Sequence, residues 1–183
     1  MKDLRRQNAF DKFFENRSFL IQMYENNAIS KREFLELNYD AIRKTPIKPF
    51  VKIDSFEKGL FNYQYYNSLA KYYKTMASEL RYSKNYKRDR NSYMNKCYHF
   101  YHLKDLSSFK LIKFLNYEGV EAYFVETKSN SLKGKLYEIV LNNFEQAVFH
   151  SKAEWLLEEL RKAGVFVEGR HQSVISNYIN EVY

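Results

Sequence analysis

Leu60-Phe61-Asn62-Tyr63-Gln64-Tyr65-Tyr66-Asn67-Ser68-Leu69-Ala70-Lys71-Tyr72-Tyr73-Lys74-Thr75-Met76-Ala77-Ser78-Glu79-Leu80 opens a run, residues 60–118, that contains neither glycine nor proline. Nothing in that run breaks or kinks a helix through its backbone. Tyr63, Tyr66, Ala70, Tyr73, Ala77 and Leu80 step along it by three and four, the spacing that stacks side chains on one helical face. The pattern predicts one long helix. A polar break at Ser83-Lys84-Asn85 then separates it from a second helix through Tyr93, Cys97, Phe100 and Tyr101, so that the two form a hairpin. A shorter helix, Ser108 to Asn116, is expected to end at Gly119 in a left-handed cap.

Upstream, Phe10, Phe13, Phe14, Leu20, Ile21 and Tyr24 recur at helical spacing and predict an amphipathic helix over about residues 4–26. Ser30-Lys31-Arg32-Glu33 is a capping box, in which hydroxyl and carboxylate satisfy the amides left unpaired at a helix start. The helix it opens is expected to turn Phe34, Leu35, Leu37, Ala41 and Ile42 inward. Pro46 and Pro49 stop that helix and set up an extended linker, and Asp54 or Ser55 can cap the next.

Beyond Gly119 the texture changes. Val120 to Glu126 alternates as a half-buried strand does, and Ser129-Asn130-Ser131 turns the chain, with Gly134 just beyond. In the segment 136–142, Tyr137, Ile139 and Leu141 alternate with Leu136, Glu138, Val140 and Asn142 in a second strand; Gln146 to His150 can supply a third. Ser151 is expected to cap a helix carrying Trp155, Leu156, Leu157 and Leu160, closed by Gly164. Val165–Val167 reads as a short strand and Ser173 to Glu181 as a final helix. The expected fold is therefore α+β: a helical domain over residues 1–118, then a small antiparallel sheet with helices over 119–183, packed on it.

Charge is spread unevenly. The formal net charge is +8, and residues 71–113 alone hold eleven basic against three acidic groups, enough to account for all of it. Lys71, Lys74, Arg81, Lys84, Tyr86, Lys87, Arg88, Arg90, Tyr93 and Lys96 are the candidate binding residues for nucleic acid or a partner. Lys and Arg supply sequence-independent affinity by releasing counterions from phosphates, and Tyr offers a ring for stacking or a hydroxyl for phosphate. The plainer alternative is a solvated helix face with core tyrosines behind it. Seventeen Tyr and fifteen Phe also reflect codon bias in part, because Lys, Asn, Ile, Tyr and Phe all have AT-rich codons.

The residues offer little for catalysis, and an enzyme is not expected. Five scattered glycines form no phosphate-binding loop, and no carboxylates group as magnesium ligands. Cys97-x-His99-x-x-His102 is the one cluster resembling metal ligands, and it lacks the further ligands a zinc site needs. No metal or cofactor is expected. With Cys97 as the lone cysteine there is no internal disulfide, which fits a reducing compartment. The start, Met1-Lys2-Asp3-Leu4-Arg5-Arg6-Gln7, lacks the apolar core of a signal peptide, and no apolar stretch is long enough to span a membrane. A cytoplasmic location is expected, with no membrane partner.

Several strings carry a resemblance: Ile29-Ser30-Lys31-Arg32-Glu33-Phe34, Pro49-Phe50-Val51-Lys52-Ile53-Asp54-Ser55, Glu57-Lys58-Gly59-Leu60-Phe61-Asn62-Tyr63-Gln64-Tyr65-Tyr66-Asn67, Glu121-Ala122-Tyr123-Phe124-Val125 and Tyr178-Ile179-Asn180-Glu181-Val182-Tyr183. They resemble a family of uncharacterised proteins from clostridial bacteria and their mobile elements, over nearly the whole chain. The chain also resembles the type II-A anti-CRISPR proteins, inhibitors of the nuclease Cas9. That resemblance implies binding to Cas9 or its complex with guide RNA, so that target DNA is not cut. Many such inhibitors are acidic mimics of DNA, whereas this chain has a pI near 9.3. A basic inhibitor would instead contact double-stranded DNA or RNA, or an acidic part of the effector. Two alternatives stand beside it: a nucleic-acid-binding regulator of a low-GC bacterium, with Ala28–Lys44 as the place for a helix-turn-helix, and a scaffold that forms a homo-oligomer through its Tyr-rich helix.

Overall fold

The computed structural model describes residues 2–80, 86–127, 136–141 and 149–163. In chain order these form α1 (Lys2–Glu25), α2 (Lys31–Lys44), α3 (Phe56–Glu79), α4 (Tyr86–Tyr117), β1 (Ala122–Thr127), β2 (Leu136–Leu141), β3 (Phe149–Ser151) and α5 (Glu154–Lys162). The fold is α+β, as the sequence patterning predicts. Two compact units divide it: Met1–Lys52 with Leu60–Lys104, and Ile53–Gly59 with Asp105–Tyr183. Gly119, where the sequence changes texture, lies inside the second unit.

In the first unit, local chemistry sets the helix ends. Asn27, at φ 56°, takes the left-handed conformation that Asn tolerates better than most residues. The turn it makes lets Ala28 N–H reach the Met23 carbonyl at 2.8 Å, closing α1. The capping box at Ser30 is complete: Ser30 Oγ accepts from Glu33 N–H at 3.2 Å, and Glu33 Oε2 accepts from Ser30 N–H at 2.8 Å. Ser55, the second of the expected caps, accepts from Lys58 N–H at 3.3 Å at the other end of this linker region, within the second unit.

The first core is aromatic. Phe13, Ile42, Ile47, Phe61 and Leu69 are buried, with Phe10, Phe14, Phe50, Tyr65 and Phe100 packed against them. Phe13 and Phe61 meet edge to face at 4.6 Å. Each such side chain contributes on the order of 1.5–3 kcal/mol on burial. The α3–α4 hairpin is antiparallel: Tyr73 stacks on Phe100 at 5.6 Å and 9°, and Lys104 sits over Tyr63 at 5.5 Å. On the other side of α3, Tyr39 of α2 stacks on Tyr72 at 3.9 Å. The expected α2 face needs one correction: Leu37 is 43% exposed, and Asn38 is buried in its place. Asn38 tolerates burial because its Nδ2 donates to the Phe34 carbonyl at 2.7 Å and its Oδ1 accepts from Arg17 at 2.7 Å.

The second unit holds a three-stranded antiparallel sheet in the order β1-β2-β3. Phe124 pairs with Ile139, and Ile139 with Phe149. On β2, Tyr137, Ile139 and Leu141 are the buried set, as the alternation predicts. Two expectations are overturned. The helix expected to begin afresh at Ser108 is the tail of α4, a continuous helix of 32 residues. Asp105, Ser107 and Ser108 resemble a cap in sequence, yet all three are buried within the helix. Ser151 is not the cap of α5: that position belongs to Ala153, with no side-chain cap bond. Ser151 ends β3 instead, donating to Asp105 Oδ1 at 2.9 Å while its Oγ accepts from Ala153 N–H at 3.0 Å.

Gly119, at φ 83°, closes α4 as expected, with Val120 N–H on the Leu115 carbonyl at 2.8 Å. The break at Ser83-Lys84-Asn85, the turn at Ser129–Ser131 with Gly134, and Gly164 with the strand and helix expected after it all lie outside the described residues.

Candidate nucleic-acid interface

The candidate residues come from the second half of α3 and the start of α4, within the first unit. Lys71, Lys74, Lys87, Arg88, Arg90 and Lys96 are exposed, Tyr86 and Tyr93 are half-buried, and Arg81 and Lys84 lie outside the described residues. Among the described residues, none of those six cations forms an ion pair with a carboxylate. Among the described residues that charge is not cancelled by a carboxylate, although Arg90 and Lys96 lie over tyrosine rings.

They do not line one strip. At about 100° of rotation per residue, Lys87 and Arg90 share one flank of α4, Arg88 faces away from the packed side, and Lys96 takes the opposite flank. The packed side is set by Tyr93, Cys97 and Phe100. This is a fan: Lys87 and Lys96 project from opposite sides of α4, so one phosphate backbone meets only part of the set at a time.

Tyr73, Tyr86 and Tyr93 are occupied with packing or with cations, whereas Tyr98 is 63% exposed. Tyr73 lies between Phe100 and Tyr93, the latter at 5.9 Å, and Lys96 Nζ sits 5.2 Å above the Tyr73 ring and 5.8 Å above Tyr93. Arg90 lies 5.8 Å over Tyr86. Tyr73 and Tyr93 join α3 to α4 and hold Lys96 by their faces, and Tyr86 is covered by Arg90 of its own helix, so these three are not free platforms for bases. Burial, followed by a hydrogen bond to Tyr39, pushes the Tyr73 phenol up to about 12.

A second group of cations escaped the sequence reasoning. Arg17 of α1 is half-buried, and its Nη1 donates to Asn38 Oδ1 at 2.7 Å and to Ser68 Oγ at 3.0 Å. Its Nε is buried with no hydrogen-bond partner. Burial lowers the Arg17 pKa from its usual value. Lys71, one turn beyond Ser68, keeps exposed surface, yet the protein packed around its ammonium desolvates it and lowers its pKa, with the neighbouring charges of Arg17, Lys104, Lys31 and Lys74 acting in the same direction. The signal available in the sequence was Arg17 itself, a cation on the apolar stripe between Phe13 and Leu20. Lys104, in the middle of the basic segment, is buried at 5% exposure, over Tyr63 and Tyr101.

Cys97 is buried, and burial pushes its thiol up, away from the reactive thiolate. His99 and His102 are exposed, and among the described residues no three His, Cys, Asp or Glu side chains group as metal ligands. No helix among the described residues is long and apolar enough to cross a membrane.

Fold and surface together define an α+β protein whose α3 and α4 carry exposed cations without a carboxylate partner among the described residues. The chain belongs to DUF6648, a family of unknown function, which matches residues 3–183. No curated protein and no solved structure matches the chain.

Proposed function

We propose that the protein binds nucleic acid by its phosphate backbone, through Lys71, Lys74 and the cations at the start of α4. The observation that carries this reading is the set of six exposed cations without a carboxylate partner among the described residues. Cations left without a carboxylate partner favour an anionic ligand, and phosphate contacts made by any part of the set add affinity. Because Tyr73 and Tyr93 are spent on packing, binding leans on phosphate contacts and is tolerant of sequence. The Cas9–guide RNA complex, with its RNA and target DNA, is the partner to which the resemblance to Cas9 inhibitors directs this activity. Binding there withholds the nucleic acid from the nuclease.

The test compares wild type with the Lys87→Glu, Arg88→Glu, Arg90→Glu variant. Fluorescence anisotropy with a DNA duplex and a single strand reads binding, and a Cas9 cleavage assay reads inhibition. The variant should lose at least about tenfold in duplex affinity, with any inhibition falling in step. Unchanged affinity at low salt in a folded variant refutes the proposal.

A further inference from the structure

We infer that Arg17, Lys71 and Lys74 form a discrete site for a single phosphate group, separate from the cations at the start of α4. The geometry rests on two hydrogen bonds. Arg17 Nη1 reaches Asn38 on α2 and Ser68 on α3, pinning the guanidinium between these helices. Ser68 and Lys71, and Lys71 and Lys74, are neighbours at three-residue spacing on α3. Lys71 thus stands between Ser68, where the guanidinium is held, and Lys74. Lys31 on α2 and Lys104 on α4 add to the local positive potential, as their influence on Lys71 shows.

The cost of this arrangement points to its ligand. A partly buried guanidinium is ordinarily balanced by a carboxylate, yet among the described residues Arg17 makes only neutral hydrogen bonds and leaves Nε without a partner. Like charges gathered beside it raise the free energy of the folded protein. A tetrahedral oxyanion relieves both effects at once, by accepting from the planar guanidinium and by neutralising the lysines. Phosphate is the class that matches several converging cations, whether it comes free in solution or from a nucleic-acid chain. The site depends on the proposed function only for a polymer as the source; the anion site itself does not.

The probe is inorganic pyrophosphate, followed by thermal unfolding of the full chain at constant ionic strength, with chloride as control. Wild type should show a saturable rise in Tm with pyrophosphate and none with chloride. Arg17→Gln leaves Asn38 and Ser68 short of a donor and can fail to fold, so Lys71→Gln and Lys74→Gln, at exposed positions, carry the test. Each should weaken the pyrophosphate effect by about tenfold, as expected when one charge-assisted hydrogen bond is removed. Without any added anion, Lys71→Gln should match or exceed the Tm of wild type, because a crowded charge is gone. The Lys87→Glu, Arg88→Glu, Arg90→Glu variant should keep the full pyrophosphate response while losing duplex affinity, which separates this site from the backbone-binding fan. No saturable shift in wild type, or an equal shift in Lys71→Gln, overturns the site whatever the duplex measurements give.

Discussion

The side-chain amide of Asn62 clasps both polar groups of Phe50: its Oδ1 accepts from Phe50 N–H at 2.8 Å, and its Nδ2 donates to the Phe50 carbonyl at 2.8 Å. Asn62 is buried at 3% exposure, so no water replaces it easily. This bond pair fixes the linker after Pro49 against α3 and sets Phe50 beside Phe61, their rings 5.7 Å apart. Asn62→Ala removes both part-buried bonds to the Phe50 backbone, at a cost of about 1–3 kcal/mol. A clear fall in the urea midpoint is the expected result, and an unchanged midpoint contradicts it.

The α2 start gives a smaller effect. Ser30→Ala removes the hydroxyl half of the capping box, and stability should fall by about 1 kcal/mol. Asp at the same position keeps an acceptor for Glu33 N–H and should restore most of the loss, read by the same unfolding curves.

Gly59, in the first turn of α3, sits against a buried side chain. A Cβ there would lie 2.5 Å from Leu111 Cδ2 and 2.8 Å from Leu111 Cβ, too close for any carbon pair. Gly59→Ala gains about 1 kcal/mol of helix propensity in an unpacked setting. Overpacking costs about 1–3 kcal/mol and should win, because Leu111 is fully buried and cannot swing away. Pairing it with Leu111→Ala should return part of the loss in a double-mutant cycle.

How much of this was legible in sequence depended on the range of the interaction. The capping box at Ser30 and the left-handed end at Gly119 are local devices, and both stand where the residues placed them. The α3 stripe is local too, and Tyr63, Ala70 and Ala77 are buried as its spacing demands. Asp105-Leu106-Ser107-Ser108 misled because polar residues that usually cap were satisfied at long range, Asp105 by Ser151, 46 residues away. Asn38 displaced Leu37 from the inward face for the same kind of reason, a bond from Arg17 that no local pattern announces. The exposed cations of α3 and α4 were legible from charge alone. Their fan around α4, and the use of Tyr73 and Tyr93 as packing, required the pairing of the helices.

Alkaline pH should unfold the protein through its tyrosines. Tyr73 is held up to about 12, against an ordinary value of 10, first by burial and then by its hydrogen bond to Tyr39. A phenol whose folded pKa is raised stabilises the fold fully below pH 10, and that contribution is lost as pH climbs through about 12. Tyr65, Tyr66 and Tyr72 are raised in the same direction by burial. Stability should therefore decline over this window, followed by the phenolate absorbance against circular dichroism. Tyr73→Phe should flatten the decline, and an unaltered slope contradicts the assignment.

The most direct measurement is the dependence of duplex affinity on salt. A plot of log K against log salt has a slope set by the number of phosphates neutralised, about 0.9 for each on B-form DNA. Wild type should show a steep negative slope. The Lys87→Glu, Arg88→Glu, Arg90→Glu variant should show a shallower one, by about 1 for every phosphate that is no longer neutralised. Affinity that barely changes with salt, or a slope identical in the two proteins, would show that the cations on the helical hairpin do not meet phosphates.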